Sequence, residues 1–268
     1  MNKIFLRHSY FFLISFLIAV FTSGAYGQNR ENKKKQPDGI IVGVGYVYST
    51  SVYSGVESRQ LPMPFISYKK GDFSIRGLTA NYTILDMGIL RTDLIIDGKF
   101  FSGGYEAEDS SSLTGMDERK GTITGGGQVS IKIWRFNLRA KLMSDIADNH
   151  NGIQGNISLA LGFPVSLFFK NMPFTLIGGS FGYQYNNRKY NNYYYGVRDL
   201  ESTSTRLSYN AKESWNPYFS TFIRVKLSKK WSLMTIYNRN FLPDEIKNSP
   251  IVSSETKSSI VSFLSYRF

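Results

Sequence analysis

The sequence predicts an all-β fold, a transmembrane antiparallel β-barrel of about twelve strands, with ten as the alternative. Three observations carry this. Apolar and polar residues alternate with period two in segments of about 9 to 11 residues, the length a tilted strand needs to cross the hydrocarbon layer. After Ala25 no run reaches the roughly 18 to 20 consecutive apolar residues of a spanning helix, and a closed barrel is the other backbone solution in lipid. The final residues Ile260, Leu264, Tyr266 and Phe268 share one strand parity and finish on an aromatic. In an exported chain, Tyr266 and Phe268 read as an assembly signal for the barrel assembly machinery.

The N-terminal segment has the three parts of a secretory signal peptide, residues 1–27. Lys3 and Arg7 supply a positive start, an apolar stretch runs from about Tyr10 to Phe21, and small residues Ala25 and Gly27 flank Tyr26 at the cleavage point. Residues 28–38, polar and carrying Lys33, Lys34, Lys35 and Pro37, read as a flexible periplasmic arm. Residues 39–268 make the barrel.

Within the barrel, strands are expected near residues 39–49, 61–69, 73–83, 89–101, 122–133, 137–146, 153–167, 173–185, 215–228, 231–242 and 257–268. Arg91, Asp93, Asp97 and Lys99 share one face of their segment while Leu90, Leu94, Ile96 and Phe100 share the other. Arg139 and Lys141 alternate with Leu138, Ala140 and Leu142, and Arg224 and Lys226 with Ile223, Val225 and Leu227. In a barrel these charged faces look into a wet lumen and the apolar faces into lipid. The eight residues Arg91, Asp93, Asp97, Lys99, Arg139, Lys141, Arg224 and Lys226 are therefore the expected lumen lining. Two roles suit them: a salt-bridged plug that stabilises a narrow barrel, or an anion-leaning constriction. The first is favoured, because side chains this long fill much of a twelve-strand interior.

Short links at Trp134-Arg135-Phe136, Lys170-Asn171-Met172 and Lys229-Lys230 read as periplasmic turns. Residues 102–121, 186–214 and 243–256 read as long extracellular loops. A periplasmic start and finish require an even strand count, so among the eleven segments one strand is miscounted, in the stretch from Ser49 to Gly88, and twelve is expected with ten as the alternative.

Composition excludes several chemistries. The chain of 268 residues has no cysteine, so disulfides, thiolate metal sites and cysteine nucleophiles are out. Its formal charge of +12 is scattered along the strands rather than gathered in a patch, which argues against nucleic acid and for contact with outer-membrane lipid and lipopolysaccharide phosphates. His8 falls in the signal peptide, leaving His150 beside Asp145 and Asp148 in a short link without serine. That cluster reads as turn chemistry rather than general-base catalysis. Glu106, Glu108, Asp109, Asp117 and Glu118 are irregularly spaced and read as a solvated loop rather than a cation site. Gly125-Gly126-Gly127 lacks the Lys and helix of a phosphate loop. Tyr193-Tyr194-Tyr195 reads either as an adhesive patch or as a segment folded over the barrel mouth. No catalytic residue, cofactor or metal is expected.

Several stretches in order resemble the MipA/OmpV family of outer-membrane proteins. They are GVGYVYSTSVYSGVESRQLPMPFISYKKGD (Gly43 to Asp72), RGLTANYTILD (Arg76 to Asp86), DIADNHNGIQGNISLALGF (Asp145 to Phe163), YYYGV (Tyr193 to Val197), SPIV (Ser249 to Val252) and SYRF (Ser265 to Phe268). The resemblance implies a non-catalytic outer-membrane barrel that scaffolds a murein lytic transglycosylase and a penicillin-binding protein, with a small porin-like diffusion channel as the alternative. The basic arm and the Tyr/Asn-rich stretch from Tyr185 to Tyr195 depart from the family pattern, at places where partner choice would be written.

Overall fold

The computed structural model describes residues 38–100, 104–165 and 173–268. The expected signal peptide with Ala25 and Gly27, the arm up to Pro37, and the turn at Lys170-Asn171-Met172 lie outside the described residues.

Twelve antiparallel strands form one closed ring. They are β1 Gly39–Ser49, β2 Arg59–Lys70, β3 Phe73–Arg76, β4 Thr79–Asp86, β5 Leu90–Gly98, β6 Ile123–Ile133, β7 Phe136–Asp145, β8 Ile153–Pro164, β9 Thr175–Asn186, β10 Ser214–Lys226, β11 Trp231–Phe241 and β12 Thr256–Arg267. Each strand pairs with its sequence neighbours. The ring closes where β1 meets β12, from Ile41 opposite Arg267 to Ser49 opposite Ser259. Closure removes the two open edges that a sheet would otherwise present to lipid.

The twelfth strand lies between Ser49 and Gly88, the stretch in which the miscount was expected. Residues 73–83, expected as one strand, divide at Gly77, whose φ of +57° is a left-handed conformation open to glycine at little cost. The resulting β3 is four residues long. Its brevity has a consequence for β2, which pairs with β3 only from Ser67 to Lys70. The Ile66 carbonyl accepts the Gly77 N–H at 2.8 Å. Gln60, Pro62 and Pro64 have the parity of Ile66, so they turn their backbone N and O to that same edge, which has no strand partner among the described residues. Two prolines on it withhold donors where no strand is present to receive them, a device natural sheets use on edges.

Side-chain parity sorts the wall into two surfaces. Val44, Ile66, Leu94, Leu142, Ile157, Phe181, Ile223 and Ile260 are all exposed on the outside. An apolar band of this extent exceeds what a water-soluble monomer presents and matches a lipid-facing wall. Aromatics gather near its rims: Trp134 with Phe136, and Trp231 with Tyr266, at the short-turn end, and Tyr185 with Trp215 at the other. These are the positions of interfacial girdles. Tyr266 packs edge-to-face on Phe268 at 5.1 Å, and the Phe268 N–H donates to the Ile40 carbonyl across the seam.

Gly126 separates tolerated from forbidden bulk in the glycine run of β6. A Cβ there would lie 2.0 Å from the Leu142 carbonyl oxygen, whereas one at Gly127 would meet nothing nearer than 3.6 Å. Gly126→Val is expected to destabilise the barrel by about 1–3 kcal/mol through overpacking, and Gly127→Val to change it little. Both are read as the temperature at which the fast-migrating folded band converts to the slow one on unboiled detergent gels.

Candidate functional site

Two places hold the molecule's polar chemistry: the lumen and a cap at the long-loop end. The register brings the predicted lumen residues to inward positions of three strands, β5, β7 and β10, and the β5 exit. Arg91 Nε contacts Asp93 Oδ1 at 2.8 Å and Oδ2 at 3.0 Å, and its Nη2 donates to Thr83 Oγ1 at 2.8 Å. Thr79 Oγ1 donates to Asp97 Oδ1 at 2.8 Å. Lys99, just past β5, donates to Gln154 Oε1 on β8. Burial first, and then the neighbouring Lys141 charge, lower the Lys99 ammonium to about 8. Lys226 sits 4.9 Å from the centroid of the Phe174 ring at the short-turn rim.

Arg139, Lys141 and Arg224 have no ion pair with an acid among the described residues. The lining therefore departs from the expected salt-bridged plug. Among the described residues one inward Arg–Asp pair forms, and Arg139, Lys141 and Arg224 are accessible from the lumen or only partly covered. Arg76, which sequence reading did not single out, joins them: its charge interacts with those of Arg224, Arg139 and Arg91. The split of residues 73–83 hid it, because the inward parity of Arg76 depends on where the Gly77 turn falls.

The buried core of this protein is in the cap. Val52 and Tyr53 from the β1–β2 loop, Tyr105, Leu113 and Met116 from the β5–β6 loop, Val197 from the β9–β10 loop, and Leu242, Ile246 and Ile251 from the β11–β12 loop form one cluster. These loops leave the ring at separated points, so they share a core only by converging over the mouth. Helix α1 (Arg188–Tyr195) and helix α2 (Asp244–Lys247) belong to this cap.

A buried ion network pins it. Arg119 donates from Nη2 to both Glu201 oxygens at 2.8 and 2.9 Å, from Nε to the Tyr193 carbonyl at 2.6 Å and from Nη1 to the Asp117 carbonyl at 2.8 Å. Both side chains of the pair are under 5% exposed, at 4% and 3%. Arg198 and the Asp117 N–H also donate to Glu201. Burial by itself would raise the Glu201 carboxyl, but the donors from Arg198, Asp117 and Arg119 prevail and hold it down at about 2. Arg206 donates to the Ser112, Thr114 and Glu201 carbonyls, tying the two longest loops together. Sequence reading missed this network; the one available signal was apolar residues such as Leu113, Met116, Ile246 and Ile251 inside otherwise polar loops.

The acidic loop residues are largely paired with cations: Asp109 with Arg59, Asp117 with Arg198 and Glu118 with Lys120. The tyrosine run folds inward. Tyr194 is buried, its hydroxyl donating to the Lys120 carbonyl, and the Tyr193 hydroxyl accepts the Lys120 N–H.

His150 is enclosed by Tyr190, Tyr193 and Tyr194. Its Nδ1 accepts the Gly152 N–H at 2.8 Å, and Asp145 Oδ2 accepts the backbone N–H of His150 and Asn151 at 2.6 and 2.9 Å. An Nδ1 that accepts cannot also donate to the carboxylate 3.6 Å away, so the imidazole is neutral with its proton on Nε2. Burial lowers its proton affinity, with the Asp145 charge opposing. The cluster is hydrogen-bonded turn structure.

A closed ring with an apolar exterior, an ionic interior and structured loops at one end defines an integral outer-membrane β-barrel. The family model described as MltA-interacting protein MipA matches residues 42–268, and the chain belongs to that family. It is 30% identical over 236 residues to the MltA-interacting protein of Escherichia coli (strain K12), covering 84% of this chain and 88% of that one. It is 24% identical over 179 residues to outer membrane protein OmpV of Vibrio cholerae serotype O1, covering 66% and 67%. Among solved structures, an outer membrane channel from Pseudomonas putida F1 superposes with a TM-score of 0.51 at 9% identity, covering 91% of this chain and all of that one, a likeness of fold alone.

Two outcomes are expected for the cap. Glu201→Gln leaves Arg119 buried without its counter-charge and is expected to cost the cap about 3–5 kcal/mol, read as faster hydrogen exchange in residues 104–121 and 187–213 with the barrel band unchanged. Acidification should loosen it in two stages. His150 binds a proton below its ordinary 6.5 when the cap is open but resists it when closed, so stability falls as pH drops below about 6.5. Glu201 stabilises above its ordinary 4.5 and loses that contribution as pH falls toward 2. His150→Asn should remove the first stage only.

Proposed function

We propose that this protein is a non-catalytic scaffold of the outer membrane that presents its short-turn end and basic arm to murein-remodelling enzymes. The observation that carries the reading is the cap. Four loops sharing one buried core lie over the long-loop end, and a pore for free diffusion needs that mouth open. A barrel stopped on one side keeps its other end as the working surface. Support also comes from the relative named for interaction with MltA, and the family resemblance adds a lytic transglycosylase and a penicillin-binding protein as partner classes.

The short turns offer contact residues. Trp134 is 74% exposed, with φ of +53°, and the Arg135 guanidinium lies 5.3 Å from its ring centroid. Exposed Trp and Arg together are the composition of interface anchors. Lys229 and Lys230 extend the basic surface.

A second reading, a small diffusion channel, is favoured by one observation: among the described residues, inward cations outnumber inward aspartates. Conduction would require the cap to open.

Affinity capture from solubilised membranes tests the first reading. A murein transglycosylase should co-purify, and deleting residues 29–38 together with Trp134→Ala should cut recovery at least tenfold while the barrel still migrates as folded. Absence of any murein enzyme from the captured material would remove the reading. Stable current steps in planar bilayers, with ion selectivity that inverts on Arg139→Glu and Lys141→Glu, would replace it with the channel.

A further inference from the structure

Inward positions of a wet barrel are expected to be polar, and around most of this ring they are, as with Asn81, Gln128, Asn156, Ser180, Gln184 and Asn216. One arc departs. Across β10, β11, β12, β1 and β2 the register sets Phe222 opposite Ile236, Ile236 opposite Val261, Val261 opposite Val47, and Val47 opposite Leu61. The next inward row toward the short-turn end reads Arg224, Met234, Phe263, Gly45 and Met63.

Phe65 follows on β2, its ring 4.7 Å from that of Phe263. Gly45 makes this contact feasible, because a Cβ at that position would lie 2.5 Å from the Phe263 ring. The row on the cap side is Ser220, Asn238, Ser259, Ser49 and Arg59, so the apolar belt stops there. At strand spacing it spans about 19 Å around the ring and, from Leu61 to Phe65, about 13 Å along it.

None of the belt residues is fully buried. They are not a packed core: they remain accessible from inside the barrel. Nor is the belt a dewetting constriction, which needs an apolar lining on all sides, since the facing strands carry Arg91, Arg139 and Lys141. Arg224 stands in the lower row itself. Arg76 lies opposite Ser67, the next inward residue after Phe65. These two guanidiniums flank the belt, and the Arg76 charge interacts with that of Arg224 and with those of Arg139 and Arg91. The nearby carboxylates are engaged, Asp93 by Arg91 and Thr83, and Asp97 by Thr79.

We infer that the lumen contains a binding site for a small amphipathic anion, a carboxylate, sulfonate or phosphate monoester carrying an apolar chain or ring. The apolar body lies on the Phe222–Leu61 and Met234–Met63 rows, and Arg76 and Arg224 hold the head. This goes beyond the scaffold reading and does not depend on it.

Calorimetric titration of the full barrel in lipid nanodiscs, with empty discs subtracted, tests the site. The probes are dodecanoate and 2-naphthoate, with acetate as head without body and 1-dodecanol as body without head. Saturable binding of dodecanoate or naphthoate, one per barrel, is expected, with acetate at least tenfold weaker. The winning probe distinguishes a chain from a ring. Arg76→Gln with Arg224→Gln should weaken the anion at least tenfold and leave dodecanol unchanged. Ile236→Asn, or Phe263→Ser should the first not fold, should weaken both. No saturation above empty discs, acetate binding as tightly as dodecanoate, or unchanged affinity in the folded arginine variant would each overturn the proposal. Capture of murein enzymes by the same variants should be unaffected, so the two readings fail separately.

Discussion

In a hydrocarbon layer every backbone N–H and C=O needs a partner within the protein, and the rest of this structure follows from that requirement. The β1–β12 seam satisfies it by joining the first strand to the last. Once the ring is closed, period-two alternation leaves each side chain one of two environments. Leu94 and Leu142 face lipid because Asp93 and Lys141 do not. The same requirement explains the proline pair in β2. The upper edge of β2 extends beyond the short β3, and Pro62 and Pro64 place side chains without backbone donors along it.

The barrel wall has almost no buried apolar interior, so specific packing is delegated to the cap. Tyr105, Leu113, Ile246 and Ile251 reach the exposure of a protein core only because their loops meet over the mouth. Arg119 and Glu201 could not be buried separately without large desolvation costs, and together they join the β5–β6 loop to the β9–β10 loop. The cap and the wall thus use opposite principles. The wall is stabilised by backbone pairing with its apolar atoms outward, the cap by enclosed side chains and a satisfied ion network.

Inside the ring the lining is uneven. Strands β3 to β9 carry most of the inward polar groups, and β11, β12, β1 and β2 present apolar ones. That asymmetry follows from chain order: neighbours in sequence are neighbours in the ring, and the closing seam unites the two termini of the barrel into a single apolar arc.

Strand period, strand length and family were legible in the sequence because each depends on local composition or on ordered stretches of residues. Parity required an even count, and the added strand falls between Ser49 and Gly88, where the miscount was expected, although the split at Gly77 needed the backbone conformation to be seen. The lumen candidates were legible as a charged face, but their pairing was not. Arg91 finds Asp93 two residues away, while Arg139 and Arg224 find no acid among the described residues, and only the register across strands decides that. Tertiary structure alone determined the cap and the inner belt. Arg119 meets Glu201 across 82 positions, and Val47 meets Val261 only because the ring closes. Alternation within a strand is written in adjacent residues, whereas contacts between loops and across the seam are set by where a closed sheet returns the chain.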